Sequence, residues 1–405
     1  MLCQTLFASR GLGFARAVSS SGRASWPPRA RPPVRHTAGR GAHRHFHADP
    51  TSSMAFCAGA AVGARFGFAR LGRWSIPASK TAARLRGTPL RRAASSASGS
   101  GPPVPNVLKA HRTFDGTLFR CSHVSDSLGG LEAQFSVFVP DAPRPWSQLP
   151  YPDDATEFPV LMYLSGMTCS DENVVTKANA QEHCANEGLI FVAPDTSPRG
   201  SGLAGEGDRF DFGLGAGYYV NATEEPWSTN YRMREYIEDE LPEIVHTHFP
   251  TLGPDAVSIM GHSMGGMGAL ACALRRPKAY CSVSALSPVA HPTNVPEGSS
   301  PDVRVSLSRF LGSDDSTWRC YDPTKLAEDF HSKHSGPPPP ILVDVGGDDE
   351  FLKSGVLRPM EFVEMCGHRG IPVDFRLRAG YDHSYFYVAS AIEEHIGFHA
   401  SHLDV

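Results

Sequence analysis

From residue 106 onward, short apolar runs alternate along the chain with longer segments whose apolar residues recur at helical spacing. Seven runs predict strands, at residues 134–139, 159–164, 189–193, 257–260, 281–286, 341–345 and 372–377. The helical spacing predicts helices at residues 173–187, 231–248, 264–275, 355–366 and 385–402. Several strand segments are nearly continuous in Val, Ile, Leu and Phe, which is typical of strands buried on both faces. The alternation therefore predicts an α/β fold, with a mostly parallel central sheet and helices on both faces.

One long segment, residues 196–230, follows neither the strand period nor the helix period, and its first two-thirds are rich in glycine. Long irregular segments in compact domains commonly carry functional loops. We expect this segment to be a surface excursion around the functional site.

Residues 1–105 differ from the rest of the chain in charge. They contain 15 arginines and one lysine against a single acidic residue, Asp49, whereas the remainder has 22 basic and 41 acidic residues. A segment rich in Arg, Ser and Ala and poor in acids is typical of an organelle transit peptide. We therefore expect residues 1–105 to be an unstructured leader that ends in a Ser/Gly/Pro linker, and residues 106–405 to be the folded domain.

The leader predicts delivery to an organelle, a mitochondrion or a plastid, with the cytoplasm as the location if the leader is not functional. The alternative is a disordered basic tail that binds nucleic acid or acidic surfaces. Met54 begins a second stretch of similar composition, which fits either an internal start or a two-part leader. Its apolar run is interrupted by Arg65 and is too short to span a bilayer, so no stable membrane insertion is expected.

The nine cysteines are an odd number and contain no Cys-x-x-Cys pair. That spacing argues against a disulfide framework and against a structural zinc site. We therefore expect the protein to work in a reducing compartment and to hold no structural zinc.

The predicted strand 257–260 is followed at once by Gly261-His262-Ser263-Met264-Gly265 and then by the predicted helix 264–275. This strand–turn–helix context is where a Gly-x-Ser-x-Gly motif presents a nucleophilic serine on a sharp turn of an α/β-hydrolase fold, the nucleophile elbow. Ser263 is the predicted nucleophile. The Met264 N–H, at the start of the helix, would point toward the oxyanion that develops during the reaction.

A nucleophilic serine needs a histidine base, and the histidine needs a carboxylate that orients it. In this fold the chain order is serine, acid, histidine. Asp348 and Asp349 follow the predicted strand 341–345, and His383 follows the strand 372–377. His383 is therefore the predicted base, whereas spacing alone leaves open which of the two aspartates is the acid.

Five strings from residue 106 onward resemble the S-formylglutathione hydrolase family, also called esterase D. In chain order the strings are Leu164-Ser165-Gly166-Met167-Thr168-Cys169, Ala193-Pro194-Asp195-Thr196-Ser197-Pro198-Arg199-Gly200, Thr229-Asn230-Tyr231-Arg232-Met233, Gly261-His262-Ser263-Met264-Gly265-Gly266 and Gly380-Tyr381-Asp382-His383-Ser384-Tyr385. Five strings in one order are more specific than a single elbow motif.

The resemblance implies hydrolysis of S-formylglutathione to formate and glutathione, in formaldehyde detoxification, through a formyl-enzyme intermediate. It favours Asp349 as the triad acid and the Met167 N–H as the second oxyanion donor beside that of Met264. It also suggests that the Cys169 thiol lies near the site and is sensitive to oxidants or alkylating reagents. It implies no cofactor, no metal and no nucleic-acid partner, and relatives commonly form homodimers.

Three further residues are candidates for contact with the substrate. Arg199 and Lys177 could bind a glutathione carboxylate, and the alternative is that both are ordinary solvent-exposed charges. Trp227 could line the pocket, although a core position is more common for such a residue.

Other functions fit the same motif. A broad-specificity short-chain carboxylesterase is the nearest alternative, and an acyltransferase would use the same triad. A non-catalytic interaction protein on a hydrolase scaffold normally lacks one triad residue, whereas Ser263, Asp349 and His383 are all present here.

Overall fold

A computed structural model describes residues 101–141 and 157–403. Residues 1–100 of the predicted leader lie outside the described residues, and so does the candidate start at Met54.

In the described residues, nine strands form one sheet in the order β1-β2-β3-β5-β4-β6-β7-β8-β9. The first three strands and the β3–β5 pair are antiparallel, and every other pairing is parallel. The predicted α/β fold with a mostly parallel sheet is therefore confirmed. The strands are β1 Asn106–Thr113, β2 Gly116–Ser125, β3 Leu131–Pro140, β4 Val160–Leu164, β5 Ile190–Pro194, β6 Val257–His262, β7 Val283–Leu286, β8 Ile341–Gly346 and β9 Val373–Arg378.

Ten α-helical segments accompany the sheet in the same part of the chain. They are α1 Glu172–Lys177, α2 Ala180–Glu187, α3 Met233–Glu235, α4 Leu241–His248, α5 Met264–Arg275, α6 Val303–Leu311, α7 Pro323–Lys333, α8 Glu350–Lys353, α9 Pro359–Arg369 and α10 Tyr385–Ala400. One core lies between the sheet and α1, α2 and α10, and a larger core lies on the other face with α4, α5, α7 and α9. Helices thus cover both faces, as the sequence predicts.

Some predicted elements differ from the observed ones. The predicted helix 173–187 is two helices, because Asn179 adopts a left-handed conformation (φ 57°) that ends the helical path. The hairpin β1–β2 and the helices α6 and α7 were not predicted. The predicted helix 355–366 begins later, at Pro359, whose fixed φ suits the first turn of a helix.

The expectation that residues 196–230 form a surface excursion is wrong for much of the segment. Phe212 and Trp227 pack into an aromatic cluster with Tyr231 and Phe310, with ring centroids between 4.5 and 6.1 Å apart. Aromatic side chains bury a large apolar area, so this irregular chain carries its own part of the core. Trp227, only 6% exposed, is a core residue.

Candidate active site

Ser263 lies at the turn between β6 and α5, at the carboxyl end of the parallel strands. Its backbone has φ 58° and ψ −119°, which is strained for a residue with a side chain. Its N–H donates to Leu286 O at 2.9 Å, which ties the turn to the neighbouring strand β7. The strained turn is the geometry that the elbow motif predicts.

The glycines on either side of Ser263 are required by close packing. A Cβ at Gly261 would lie 2.2 Å from Gly265 O, and a Cβ at Gly265 would lie 1.9 Å from Leu164 O. Both distances are well inside van der Waals contact with backbone atoms that cannot move aside. Glycine at 261 therefore allows the turn to close on the start of α5, and glycine at 265 allows it to approach the end of β4.

The segment after β4 lies directly against the elbow. A Cβ at Gly166 would stand 3.1 Å from Ser263 Cβ, so the next peptide, with the Met167 N–H, is beside the serine. The Tyr219 hydroxyl donates to Ser165 O at 2.8 Å and fixes this segment from behind. Met264 begins α5, where backbone N–H groups have no partner within the helix. Met167 and Met264 thus belong to the two segments next to Ser263, and their role as oxyanion donors stays a prediction.

Asp348 and Asp349 have opposite surroundings. Asp349 is fully buried, its Oδ2 lies 2.6 Å from His383 Nδ1, and its Oδ1 accepts the N–H of Phe351 at 2.8 Å. Burial acts to raise the pKa of Asp349, but the His383 hydrogen bond and charge, with smaller contributions from nearby donors, outweigh it and lower that pKa. Asp348 is exposed and pairs with Lys353 at 2.9 Å. Asp349 is therefore the carboxylate in position to orient His383.

The His383 ring is held on three sides. Besides the bond to Asp349, the Phe351 ring meets it edge-on at 4.7 Å between centroids, and the His262 ring lies 4.6 Å away. His262 immediately precedes Ser263 in the chain, so the predicted base lies beside the predicted nucleophile. The His383 side chain is 11% exposed, which leaves it accessible to a small substrate.

His262 itself is buried, and both of its ring nitrogens lack a hydrogen-bond partner in the described part of the chain. Burial, together with the nearby His383, lowers the pKa of His262 well below its usual value. His262 is therefore neutral at physiological pH. It adds no repelling charge when His383 becomes an imidazolium.

Cys169 lies close to this centre but is poorly suited to react as a thiolate. Its Sγ is 3.8 Å from the hydroxyl of Tyr385, and Lys177 Nζ lies 5.4 Å from the centre of that ring. Burial raises the pKa of the Cys169 thiol, although Tyr385 and Lys177 act in the opposite direction. At neutral pH the thiol is therefore mostly protonated.

Arg199 is not free to bind a carboxylate of a substrate. Its guanidinium donates to Asp195 at 2.6 Å and to Cys169 O at 3.1 Å. It therefore fixes the chain around Cys169. Lys177 is exposed on the last turn of α1.

Sequence reasoning missed several residues that support this centre. Gly166 lies in one of the five strings that resemble the family, but the string alone gives it no role. The way in which Phe351, Tyr219 and His262 support the centre depends on contacts between segments that are distant in the chain. A hydrophobic residue two positions after the acid, as Phe351 is, carried no signal that separated it from ordinary core residues. Only the three-dimensional contacts identify these supports.

Within residues 101–141 and 157–403, no group of three or more His, Cys, Asp or Glu side chains is arranged to hold a metal ion. No helix in the same ranges is both long and apolar enough to cross a membrane. The arrangement of Ser263, His383 and Asp349, with two N–H groups beside the serine, suits nucleophilic attack on an acyl carbon.

Comparisons with known proteins show similarity to esterases. The Esterase family matches residues 145–400. The S-formylglutathione hydrolase of Rattus norvegicus is 46% identical over 256 residues, 63% of this chain and 87% of the relative. That of Mus musculus is 45% identical over 279 residues, 68% of this chain and 95% of the relative. A solved S-formylglutathione hydrolase from Agrobacterium tumefaciens is 36% identical with a TM-score of 0.65, and the match covers 74% of this chain and 99% of that chain.

Proposed function

Because this chain belongs to the S-formylglutathione hydrolase family of esterases, we propose that it hydrolyses S-formylglutathione to formate and glutathione, in formaldehyde detoxification, with Ser263 as nucleophile. The observation that carries the residue assignment is the 2.6 Å contact between His383 Nδ1 and the buried Asp349. That contact leaves the other ring nitrogen of His383 as the acceptor for a serine proton.

In the first half of the reaction, His383 takes the proton of the Ser263 hydroxyl as Oγ attacks the formyl carbon. The carbonyl oxygen becomes an oxyanion, to which the N–H groups of Met167 and Met264 donate. The carbon–sulfur bond then breaks, and the glutathione thiolate leaves with the proton from His383. The product on the enzyme is a formyl ester of Ser263.

In the second half, His383 takes a proton from water, and the hydroxyl oxygen attacks the formyl ester. The oxyanion forms at the same two N–H groups. The bond to Ser263 Oγ breaks, His383 returns the proton to the serine, and formic acid leaves and ionises to formate by losing its proton to solvent. Throughout both halves Asp349 stays ionised and stabilises the imidazolium.

The second candidate function, a broad-specificity short-chain carboxylesterase, would use the same triad on oxygen esters.

The ratio of kcat/KM for S-formylglutathione to kcat/KM for short nitrophenyl esters separates the two functions. We expect the thioester to be strongly preferred. Equal or higher kcat/KM on the nitrophenyl esters would favour the carboxylesterase. Ser263→Ala serves as the blank in both assays.

We also propose that residues 1–105 direct the protein to an organelle, on the strength of their excess of arginine over acidic residues. Imaging a fusion of residues 1–105 to a fluorescent protein tests this, and a diffuse cytosolic signal would contradict it. Homodimer formation stays a prediction, which the molecular mass in solution checks.

A further inference from the structure

Another buried aspartate, Asp344, contacts residues on both sides of the segment that carries His383. That segment, residues 379–384, joins β9 to α10 and is the base segment of the site. Before it, Arg378 Nε donates to Asp344 Oδ2 at 2.6 Å, and after it, the Tyr387 hydroxyl donates to Asp344 Oδ1 at 3.0 Å. We infer that Asp344 is a positioning residue for the base. The inference rests on the proposed role of His383.

Asp344 belongs to β8, the strand that also leads to Asp349. Its side chain is fully buried, and its backbone oxygen accepts the Ser287 N–H at 2.7 Å. Asp344 and the loop that carries Asp349 therefore both depend on the position of β8, which pairs with β7 on one side and β9 on the other.

Neighbouring side chains compensate the negative charge of Asp344. Arg378 supplies the cation, and His395 Nε2 lies 3.7 Å from Asp344 Oδ2. Burial acts to raise the pKa of Asp344, but His395 and Arg378 outweigh it and lower that pKa. The carboxylate stays ionised, so each of its oxygens accepts one of the two ties.

Backbone hydrogen bonds already join the loop that follows β8 to the end of β9 and to the base segment. The Gly347 N–H donates to Arg378 O, and the Asp348 N–H donates to Tyr381 O, each at 2.8 Å. These bonds do not involve α10, which follows His383. His395, in the second half of α10, also lies near Asp344, but Tyr387 is in the first turn and much closer to His383 along the chain. The Tyr387 bond to Asp344 therefore holds the exit of the base segment, as the Arg378 bond holds its entry.

A tie of this kind affects turnover more than binding, because it acts through the placement of the His383 ring. A displacement of about 1 Å at a catalytic group can cost about a hundredfold in rate. The His383–Asp349 bond should lengthen when Asp344 no longer holds either end of the segment, with no direct loss of a substrate contact.

The test compares two variants with a matched control in the full chain. Tyr387→Phe removes one tie while keeping the ring, and Asp344→Ala removes both. Tyr236→Phe is the control, because Tyr236 is equally buried and its hydroxyl has no hydrogen-bond partner in the described residues. We expect kcat for S-formylglutathione to fall about tenfold in Tyr387→Phe and about a hundredfold in Asp344→Ala, with KM unchanged. The control should keep the wild-type kcat.

The double variant gives a readout that a general loss of stability would not produce. With Asp344 already replaced by Ala, Tyr387→Phe should lower kcat no further, because its acceptor is gone. Additive losses would overturn the inference, and so would a fall in kcat shared by Tyr236→Phe. If Asp344→Ala does not fold, Tyr387→Phe with its control still decides.

The failure of this inference differs from the failure of the proposed function. Wild-type activity in Ser263→Ala and His383→Ala would end the proposed function itself. If those variants are inactive while Tyr387→Phe and Asp344→Ala keep the wild-type kcat, the function stands and the positioning role of Asp344 is wrong.

Discussion

The adjacent pair Asp348 and Asp349 allows a sharp test of the catalytic geometry, because the same substitution can be made one residue apart. Asp349→Asn replaces the carboxylate at 2.6 Å from His383 Nδ1 by an amide of nearly the same shape. The amide cannot stabilise the imidazolium, and it favours the wrong tautomer of His383. Asp348→Asn removes only an exposed ion pair with Lys353.

The expected magnitudes differ widely. Loss of the carboxylate in a serine triad lowers kcat by about 10⁴-fold, which corresponds to about 5 kcal/mol of activation free energy. Stability should change little, because Asp349 caps α8 through Oδ1 and Asn caps helices about as well. An exposed ion pair contributes about 0–1 kcal/mol, so Asp348→Asn should leave both properties nearly unchanged.

The assay is kcat/KM for S-formylglutathione at neutral pH, with thermal unfolding of each variant measured beside it. We predict a loss of about four orders of magnitude in Asp349→Asn and wild-type activity in Asp348→Asn. Equal activity of the two variants would refute the assignment of Asp349. So would a loss in Asp349→Asn that follows a matching drop in the free energy of unfolding.

Three further predictions concern the elbow, the thiol and the stability of the fold. Gly265→Ala places a Cβ 1.9 Å from Leu164 O and should destabilise the protein by about 3 kcal/mol or more. Gly397→Ala, in α10 with open space around it, should stabilise the protein by about 0.5–1 kcal/mol. Thermal unfolding of both variants checks this. Inactivation by iodoacetamide should be slow at neutral pH and faster as the pH rises, because burial raises the pKa of Cys169, and Cys169→Ser inactivated as fast as wild type would contradict this. Burial acts to raise the pKa of Glu240, but neighbouring hydrogen-bond donors outweigh it and lower that pKa to about 2. The ionised carboxylate should therefore add about 1–2 kcal/mol to the free energy of unfolding, fully present above about pH 4.5 and lost as the pH falls toward 2. A difference in the free energy of unfolding between wild type and Glu240→Gln that does not shrink over that range would argue against this.

The parallel part of the fold was predictable from sequence because its strands are continuous apolar runs. Runs such as residues 189–193 and 257–260 are buried on both faces, and their pattern has no competing interpretation next to helical segments. The hairpin β1–β2 was missed because it lies at the edge of the sheet. Nearly all side chains of β1 are exposed, so its residues need no hydrophobic alternation.

Single residues decide the other differences. Asn179 breaks a helix whose apolar spacing continues across it, because its left-handed conformation is a local backbone choice that periodicity does not record. The irregular segment around Phe212 was assigned to the surface because it has no period. Its aromatic residues are nevertheless buried, since they pack against α6 and not along a regular element.

At the site, chain order selected Ser263 and His383, whereas the aspartate needed the family resemblance. Adjacent residues at the end of a strand point in different directions, and only the fold shows that Asp349 points inward while Asp348 points to solvent. Asp344 gave no signal at all, because one polar residue within an apolar strand resembles an ordinary exception. Its two partners lie 34 and 43 residues away in the chain.

The most direct test of Ser263 as the nucleophile is the rate of S-formylglutathione hydrolysis by the full chain and by Ser263→Ala at equal protein concentration. Removal of the nucleophile in a serine triad lowers kcat by about 10⁶-fold, so we predict a variant with negligible activity and an unchanged unfolding temperature. Hydrolysis by Ser263→Ala at the wild-type rate would contradict the account.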